Sequence, residues 1–274
     1  MTDTSQPSRD AQGAPPSLRQ LPVDWDRALA VAAHPDDLEY GAAAAVAEWT
    51  AAGKDVRYLL VTRGEAGIDD IEPERCGPLR EREQRAGAER VGVSTVEFLD
   101  HRDGVVEGGV ALRRELAAAI RRHRPELLVT LNHREHFGDR AALNTPDHRV
   151  VGQAVIDAAA DAGNRWIFRE QLDTAAFRAD PGSASGAGQD GRLSPWNGVR
   201  WIAVAASPQA THAQPVGEEA LRRAVASLRE HRAYLRGLGV EPDRYASDLV
   251  RGAADGAAER FDGRRCVAFE LFPR

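Results

Sequence analysis

Cysteine occurs only twice in the 274 residues, at Cys76 and Cys266. Two thiols cannot supply the disulfide framework of a small secreted fold, nor a four-cysteine structural zinc site. Both read as buried or incidental thiols. No apolar run approaches the length of a membrane span, and the first twenty residues lack the apolar core of a signal peptide. A cytoplasmic chain without an integral membrane segment is expected. Net positive charge is also missing: 36 Lys and Arg stand against 42 Asp and Glu, a formal charge of −6. The arginines are interleaved with acids rather than clustered, which argues against nucleic acid as a partner.

What is present is ordinary for an α/β enzyme, with 42% hydrophobic and 28% charged residues, and 25 Gly and 15 Pro that point to long loops. Residues 1–20 read as a disordered tail and 21–274 as a single domain. Apolar runs at 28–33, 56–62, 96–99, 126–131, 200–206 and 266–272 read as strands. Helical patterns fall at 38–52, 79–91, 110–123, 150–162 and 218–235, the last rich in arginine. Strands alternating with helices predict βαβ units, hence a mostly parallel sheet with helices on both faces. Near 173–199 the sequence turns Gly, Ser and Pro rich, as in a long loop.

The first strand ends in AVAAHPDDLEYG (residues 30–41), an apolar run broken by one imidazole and two adjacent carboxylates. In parallel sheets ligands gather at the carboxyl ends of strands, where these groups fall. This turn has no Gly-x-Gly-x-x-Gly, and carboxylates there would repel a pyrophosphate, so no dinucleotide is expected. His34 and Asp37 are three apart and converge if a helical turn begins at this point. A second Pro-Asp-His group, in NTPDH (residues 144–148), opens a later helix after another strand. With His148 as the third ligand, a zinc ion has two nitrogens and one oxygen and keeps a position for water. In that arrangement Asp36 takes the proton of the water and passes it to the departing amine. Asp147 joins Asp36 as a candidate catalytic residue, either orienting an imidazole or standing across the site as a further carboxylate, and its plainer reading is a cap to the helix that follows.

The AHPDD and PDH groups, together with the element order over 28–162, resemble the PIG-L or LmbE-like family of zinc-dependent de-N-acetylases. The resemblance implies a Rossmann-like fold, metal ligands His34, Asp37 and His148, and Asp36 as general base. It implies hydrolysis of an acetyl or other small acyl group from a soluble, small-molecule N-acetyl amino sugar. In many members the second motif reads His-Pro-Asp-His, and its first histidine helps to stabilise the tetrahedral intermediate; here that position is Thr145. His133, His136 and His212 are candidate substitutes, and the alternative is a metal-binding member with lost or altered catalysis. Arg63 and Glu65, in RGEAG (residues 63–67), fall beside the site by the same resemblance, and Asp103 and His136 join them as candidate substrate contacts. His123 and His231 lie on Arg-rich helical faces and read as solvated, while Trp166, Trp196 and Trp201 read as packing residues or as sugar-stacking platforms. Oligomeric state is left open.

Overall fold

Small and β-branched residues dominate the first long strand, and the pleat sends them alternately to two cores. The computed structural model describes residues 17–137, 142–172 and 192–274. In chain order the first elements are β1 (Arg19–Gln20), β2 (Arg27–Ala32), α1 (Asp37–Gly41), α2 (Ala43–Ala51), β3 (Asp55–Leu60), α3 (Pro73–Arg90), β4 (Val96–Phe98) and α4 (Val110–His123). They are followed by β5 (Leu127–Leu131), the short pair β6 (His136–Phe137) and β7 (Ala142–Leu143), and α5 (Pro146–Gly163). The rest comprises β8 (Trp201–Ala205), β9 (His212–Pro215), α6 (Glu218–Arg229), α7 (Arg232–Gly237), α8 (Pro242–Gly256) and β10 (Cys266–Pro273).

Eight strands form one sheet in the order β1-β9-β10-β8-β5-β2-β3-β4. β2 pairs in parallel with β3 and β5, and β5 in parallel with β8, whereas β10 runs antiparallel to both β8 and β9. The expected mostly parallel sheet is therefore present, with one reversed strand. Along β2, Ala28, Ala30 and Ala32 enter the core shared with α2, α3, α6 and α8, while Leu29 and Val31 enter the core shared with α4 and α5. After β4 the chain crosses back to place β5 on the other side of β2. The carboxyl ends of β2 and β5 are thus a topological switch point, where a crevice opens in such sheets.

Several boundaries differ from the sequence reading. The helix expected over 38–52 is broken at Ala42 (φ −140°), because a Cβ at Gly41 would meet Leu131 Cδ2 at 2.6 Å, so the chain turns there. α3 begins at Pro73 in its first turn and runs through Pro78, which the pattern had taken as a boundary. The helix expected over 218–235 breaks between α6 and α7, turning His231 inward, and β9 and α8 are additional elements. The tail expected over 1–20 ends sooner: Leu18 is buried and Arg19–Gln20 pair with β9. Of the loop near 173–199, residues 173–191 lie outside the described residues; beyond them Leu193 bridges to Leu172 and the Trp196 N–H donates to Ala162 O (2.9 Å).

Candidate metal centre and active site

The turn after β2 is held by its own polar groups. The His34 backbone N–H donates to Asp37 Oδ2 (2.8 Å), which closes the turn and fixes the carboxylate. Asp36 follows with φ 85°, a left-handed conformation that aspartate tolerates better than most residues. Its backbone N–H donates to Gln84 Oε1 (2.8 Å) and its carbonyl accepts the first helical bond from Tyr40. Neither carboxylate caps α1 through its side chain, so helix capping does not account for the pair.

Three donor side chains, two from the turn after β2 and one from the first turn of α5, face one another. His148 Nε2 lies 2.9 Å from Asp37 Oδ1 and 3.2 Å from His34 Nδ1, and His34 Nδ1 lies 3.5 Å from Asp37 Oδ2. The partners behind each ring decide which nitrogens carry protons. His148 Nδ1 faces Asn144 Oδ1 at 3.0 Å, and Asn144 Nδ2 donates to the carbonyls of Asn132 (2.6 Å) and Arg134 (2.9 Å). The amide orientation is therefore set, Asn144 Oδ1 must accept, and the Nε2 lone pair of His148 points inward. His34 Nε2 faces Asp103 Oδ1 at 3.1 Å and Asp147 Oδ2 at 3.3 Å, so its proton sits on that side. Two inward lone pairs and a carboxylate repel one another unless a cation lies among them. These residues fit a divalent metal with an N₂O donor set.

The electrostatics agree. Burial disfavours a charged His34, yet the charge of Asp37 and the hydrogen bonds that Asp103, Asp147 and Asp37 accept from the ring prevail and raise its pKa well above the ordinary imidazole value. Burial likewise works against a charged Asp37, and the two histidines overcome it and hold the carboxyl far below its usual range. The cluster demands positive charge.

Asp36 stands beside this cluster with its carboxylate turned to a buried arginine. Arg80 donates to Asp36 Oδ2 (3.0 Å), Pro35 O (2.7 Å), Glu83 Oε2 (2.7 Å) and His231 Nδ1 (3.1 Å), and its guanidinium lies over the Tyr234 ring at 4.2 Å. Burial pushes the Asp36 carboxyl up to about 6, against the opposing charge of Arg80. Sequence reading missed Arg80 and Gln84, because α3 reads as a charged amphipathic helix, and it missed Glu39 of α1, whose Oε1 accepts from Gln84 Nε2 (3.0 Å). His231 and His123 are buried, not solvated, since each replaces water with protein partners: Arg80 for the first, Arg57 and Glu97 for the second.

Other candidate residues are placed as follows. Asp147 is buried, accepts from the backbone N–H of Gly104 (2.8 Å) and Val106 (3.2 Å), and faces His34. The helix cap is instead Thr145, an exposed residue whose Oγ1 accepts from the His148 N–H (3.3 Å). Asp103 turns to His34 and accepts from the Ala66 N–H (2.9 Å), so it braces the turn instead of reaching outward. Glu65 ties the same loops by accepting from the Asp103 N–H (2.9 Å), and Arg63 is taken up by Asp100 (2.6 Å), Leu99 O (2.9 Å) and Glu81. His133 and His136 line a different cavity, with Arg134, Glu135 and Gln153. His212 lies on β9, separated from β5 by β10 and β8. Trp196 donates to Pro125 O (2.7 Å) and Trp201 begins β8, both at the amino ends of strands and away from the metal cluster.

The cluster falls within a stretch with known relatives. The PIG-L family, described as GlcNAc-PI de-N-acetylase, matches residues 29–159. These residues form a PIG-L family domain. Diacetylchitobiose deacetylase of Thermococcus kodakarensis is 30% identical over 155 residues, covering 54% of this chain and 55% of that protein. 1D-myo-inositol 2-acetamido-2-deoxy-alpha-D-glucopyranoside deacetylase of Streptomyces avermitilis is 30% identical over 175 residues, covering 54% and 57%. The chain thus spans about half the length of these curated relatives. In three dimensions it resembles N,N'-diacetylchitobiose deacetylase from Pyrococcus horikoshii with a TM-score of 0.74 at 19% identity, over 91% of this chain and 85% of that one. This likeness extends the shared fold beyond residues 29–159. Among the described residues no helix is long and apolar enough to cross a membrane.

Proposed function

We propose that the chain is a zinc-dependent N-deacetylase of N-acetylated amino sugars. The reading is carried by one observation: two imidazole lone pairs and a carboxylate converge beside buried Asp36, inside a PIG-L domain. Zinc suits the donor set. Imidazole nitrogen and carboxylate oxygen are among its usual ligands, and one ligand atom from each of His34, Asp37 and His148 lies within 4.8 Å of the other two. The curated relatives are named for removing acetyl groups from chitobiose and from an acetamido-glucopyranoside of inositol, which supports an amino-sugar amide as substrate.

His34, Asp37 and His148 would hold the metal, which supplies Lewis acidity toward water and the acyl oxygen. Asp147 and Asn144 fix the two rings from behind. Asp36, held by Arg80, accepts a proton from the attacking water and delivers it to the amide nitrogen as the C–N bond breaks. Carboxylic acid and free amine leave with the atoms of one water between them. Thr145, exposed and engaged as a helix cap, leaves the acyl oxygen without an imidazole donor from that position.

The test combines metal analysis with acetate release from N,N'-diacetylchitobiose. About one zinc per chain and release of acetate are expected, with Asp36→Asn keeping zinc and losing turnover by roughly hundredfold to ten-thousandfold. Zinc without acetate release from any N-acetyl amino sugar would favour the reading in which Thr145 marks altered catalysis. No zinc in the protein, or wild-type turnover in Asp36→Asn, would overturn the mechanism.

A further inference from the structure

Beside the metal cluster lies a cavity of about 200 Å³ that the hydrolytic steps leave unused. Asp36, Asp37 and His148 line one side of it, and Leu131, Phe137, Ala206, Tyr40 and Tyr234 line the remainder. Both tyrosines bring aromatic faces: the Tyr40 hydroxyl is bonded to that of Tyr245 (3.4 Å), and the Tyr234 ring carries the Arg80 guanidinium. Beyond Asp36, Asp37 and His148, which the hydrolytic reading already engages, the wall is mainly apolar, so most hydroxyls of a sugar ring placed there would face carbon. An amide whose carbon reaches Asp36 has only two substituents to distribute. The polar, amine-bearing one belongs outside, and the apolar acyl one belongs in the cavity.

We infer that this cavity is an acyl pocket built for unbranched N-acyl groups longer than acetyl. The inference rests on the amide-hydrolase reading above and adds the class of acyl group. Size carries it: about 200 Å³ is room for roughly six or seven non-hydrogen atoms at about 30 Å³ each, the share a water takes in the liquid. Acetyl places one carbon in it beyond the carbonyl and butanoyl three, whereas hexanoyl places five and fills most of it. A second cavity of about 180 Å³ shares Tyr40, Gly41 and Ala206 with the first. Tyr40 thus borders both spaces and limits the chain length that the first one accepts.

The experiment measures binding of acetate, butanoate, hexanoate and octanoate to the zinc-loaded protein by titration calorimetry. The head group is constant, so differences along the series report the chain alone. Affinity should rise about fourfold per methylene as far as hexanoate and then level off, and in Tyr40→Ala the levelling should move out to octanoate. Hexanoate binding no tighter than acetate would overturn the acyl pocket, as would a chain-length profile unchanged in Tyr40→Ala. In parallel, N-acetyl-, N-butanoyl- and N-hexanoylglucosamine are assayed for released acid, with the longer two expected to show the higher kcat/KM. Cleavage confined to the acetyl compound overturns the acyl pocket and leaves the deacetylase reading standing. Chain-length-dependent binding without cleavage of any of the three supports the pocket and overturns the amino-sugar hydrolase reading.

Discussion

At the scale of single residues, the site is distinguished by how firmly its reactive groups are held from behind. Asn144 has its amide nitrogen committed to two carbonyls, so its oxygen can only receive the His148 proton. Asn144→Ala is expected to lower metal affinity by about 10- to 100-fold, read by competition with a chromogenic chelator; unchanged affinity would mean that His148 is oriented by the helix alone. Arg80 is a sharper case, because it is nearly fully buried between Asp36 and Glu83. Removing it strands two carboxylates in the interior, so Arg80→Met should cost about 3–5 kcal/mol of stability, measured by denaturant unfolding. A loss under 1 kcal/mol would show that water reaches the carboxylates once the guanidinium is gone.

At the scale of elements, α5 carries both Asp147 and His148 and must lie close against the end of β5. Gly152 allows this, since a Cβ there would meet Leu131 O and His133 Cβ, each at 2.8 Å. Alanine ordinarily gains about 0.5–1 kcal/mol over glycine inside a helix, but displacing backbone in a packed interior costs about 1–3 kcal/mol. The second effect should prevail. Gly152→Ala is expected to lower both thermal stability and zinc affinity, and a variant more stable than wild type would mean that α5 has room to move. The elements themselves were legible where hydrophobic period and punctuation agree: α4 was expected over 110–123 and spans Val110–His123. Legibility failed where long-range packing overrides local pattern, as in the break that turns His231 inward to Arg80. The two motif groups were legible because three residue types with a shared chemistry stood at strand ends. Asn144, Arg80 and Gln84 were not, since a buried polar partner looks like any surface polar residue until the fold supplies its neighbour.

At the scale of the whole molecule, pH links the titrating groups to stability. His212 is buried on β9, and burial, followed by the charge of Arg19, pushes its pKa below the ordinary value of 6.5. The unfolded chain therefore binds a proton that the folded chain resists. The stability this group provides is complete above about pH 6.5 and declines as the pH falls toward its folded pKa. Thermal unfolding followed by circular dichroism at about pH 7.5 and about pH 5.5 should show a smaller loss of Tm in His212→Gln than in the wild type. Asp36 and His34, whose raised pKa values act in other senses, are common to both proteins and cancel in the difference. Equal losses would mean that His212 is protonated as readily in the fold as in the open chain.

The insertion of β10 between β8 and β9 has a consequence for biosynthesis. Synthesis proceeds from the amino terminus, so β2, β3, β4 and β5, with the helices between them, are complete well before β10 leaves the ribosome. Both motif groups of the metal cluster are therefore made early, and β8 can add in parallel to β5 as soon as it emerges. β9, and with it β1, has no route into the sheet until residues 266–273 arrive to join them. The most distant pairing in sequence, β1 with β9, is thus built into the sheet only after residues 266–273 have emerged, and it closes the longest loop of the sheet. Between the emergence of β8 and that of β10 the partly made chain exposes the unpaired edge of β8, a template for edge-to-edge association until β10 covers it.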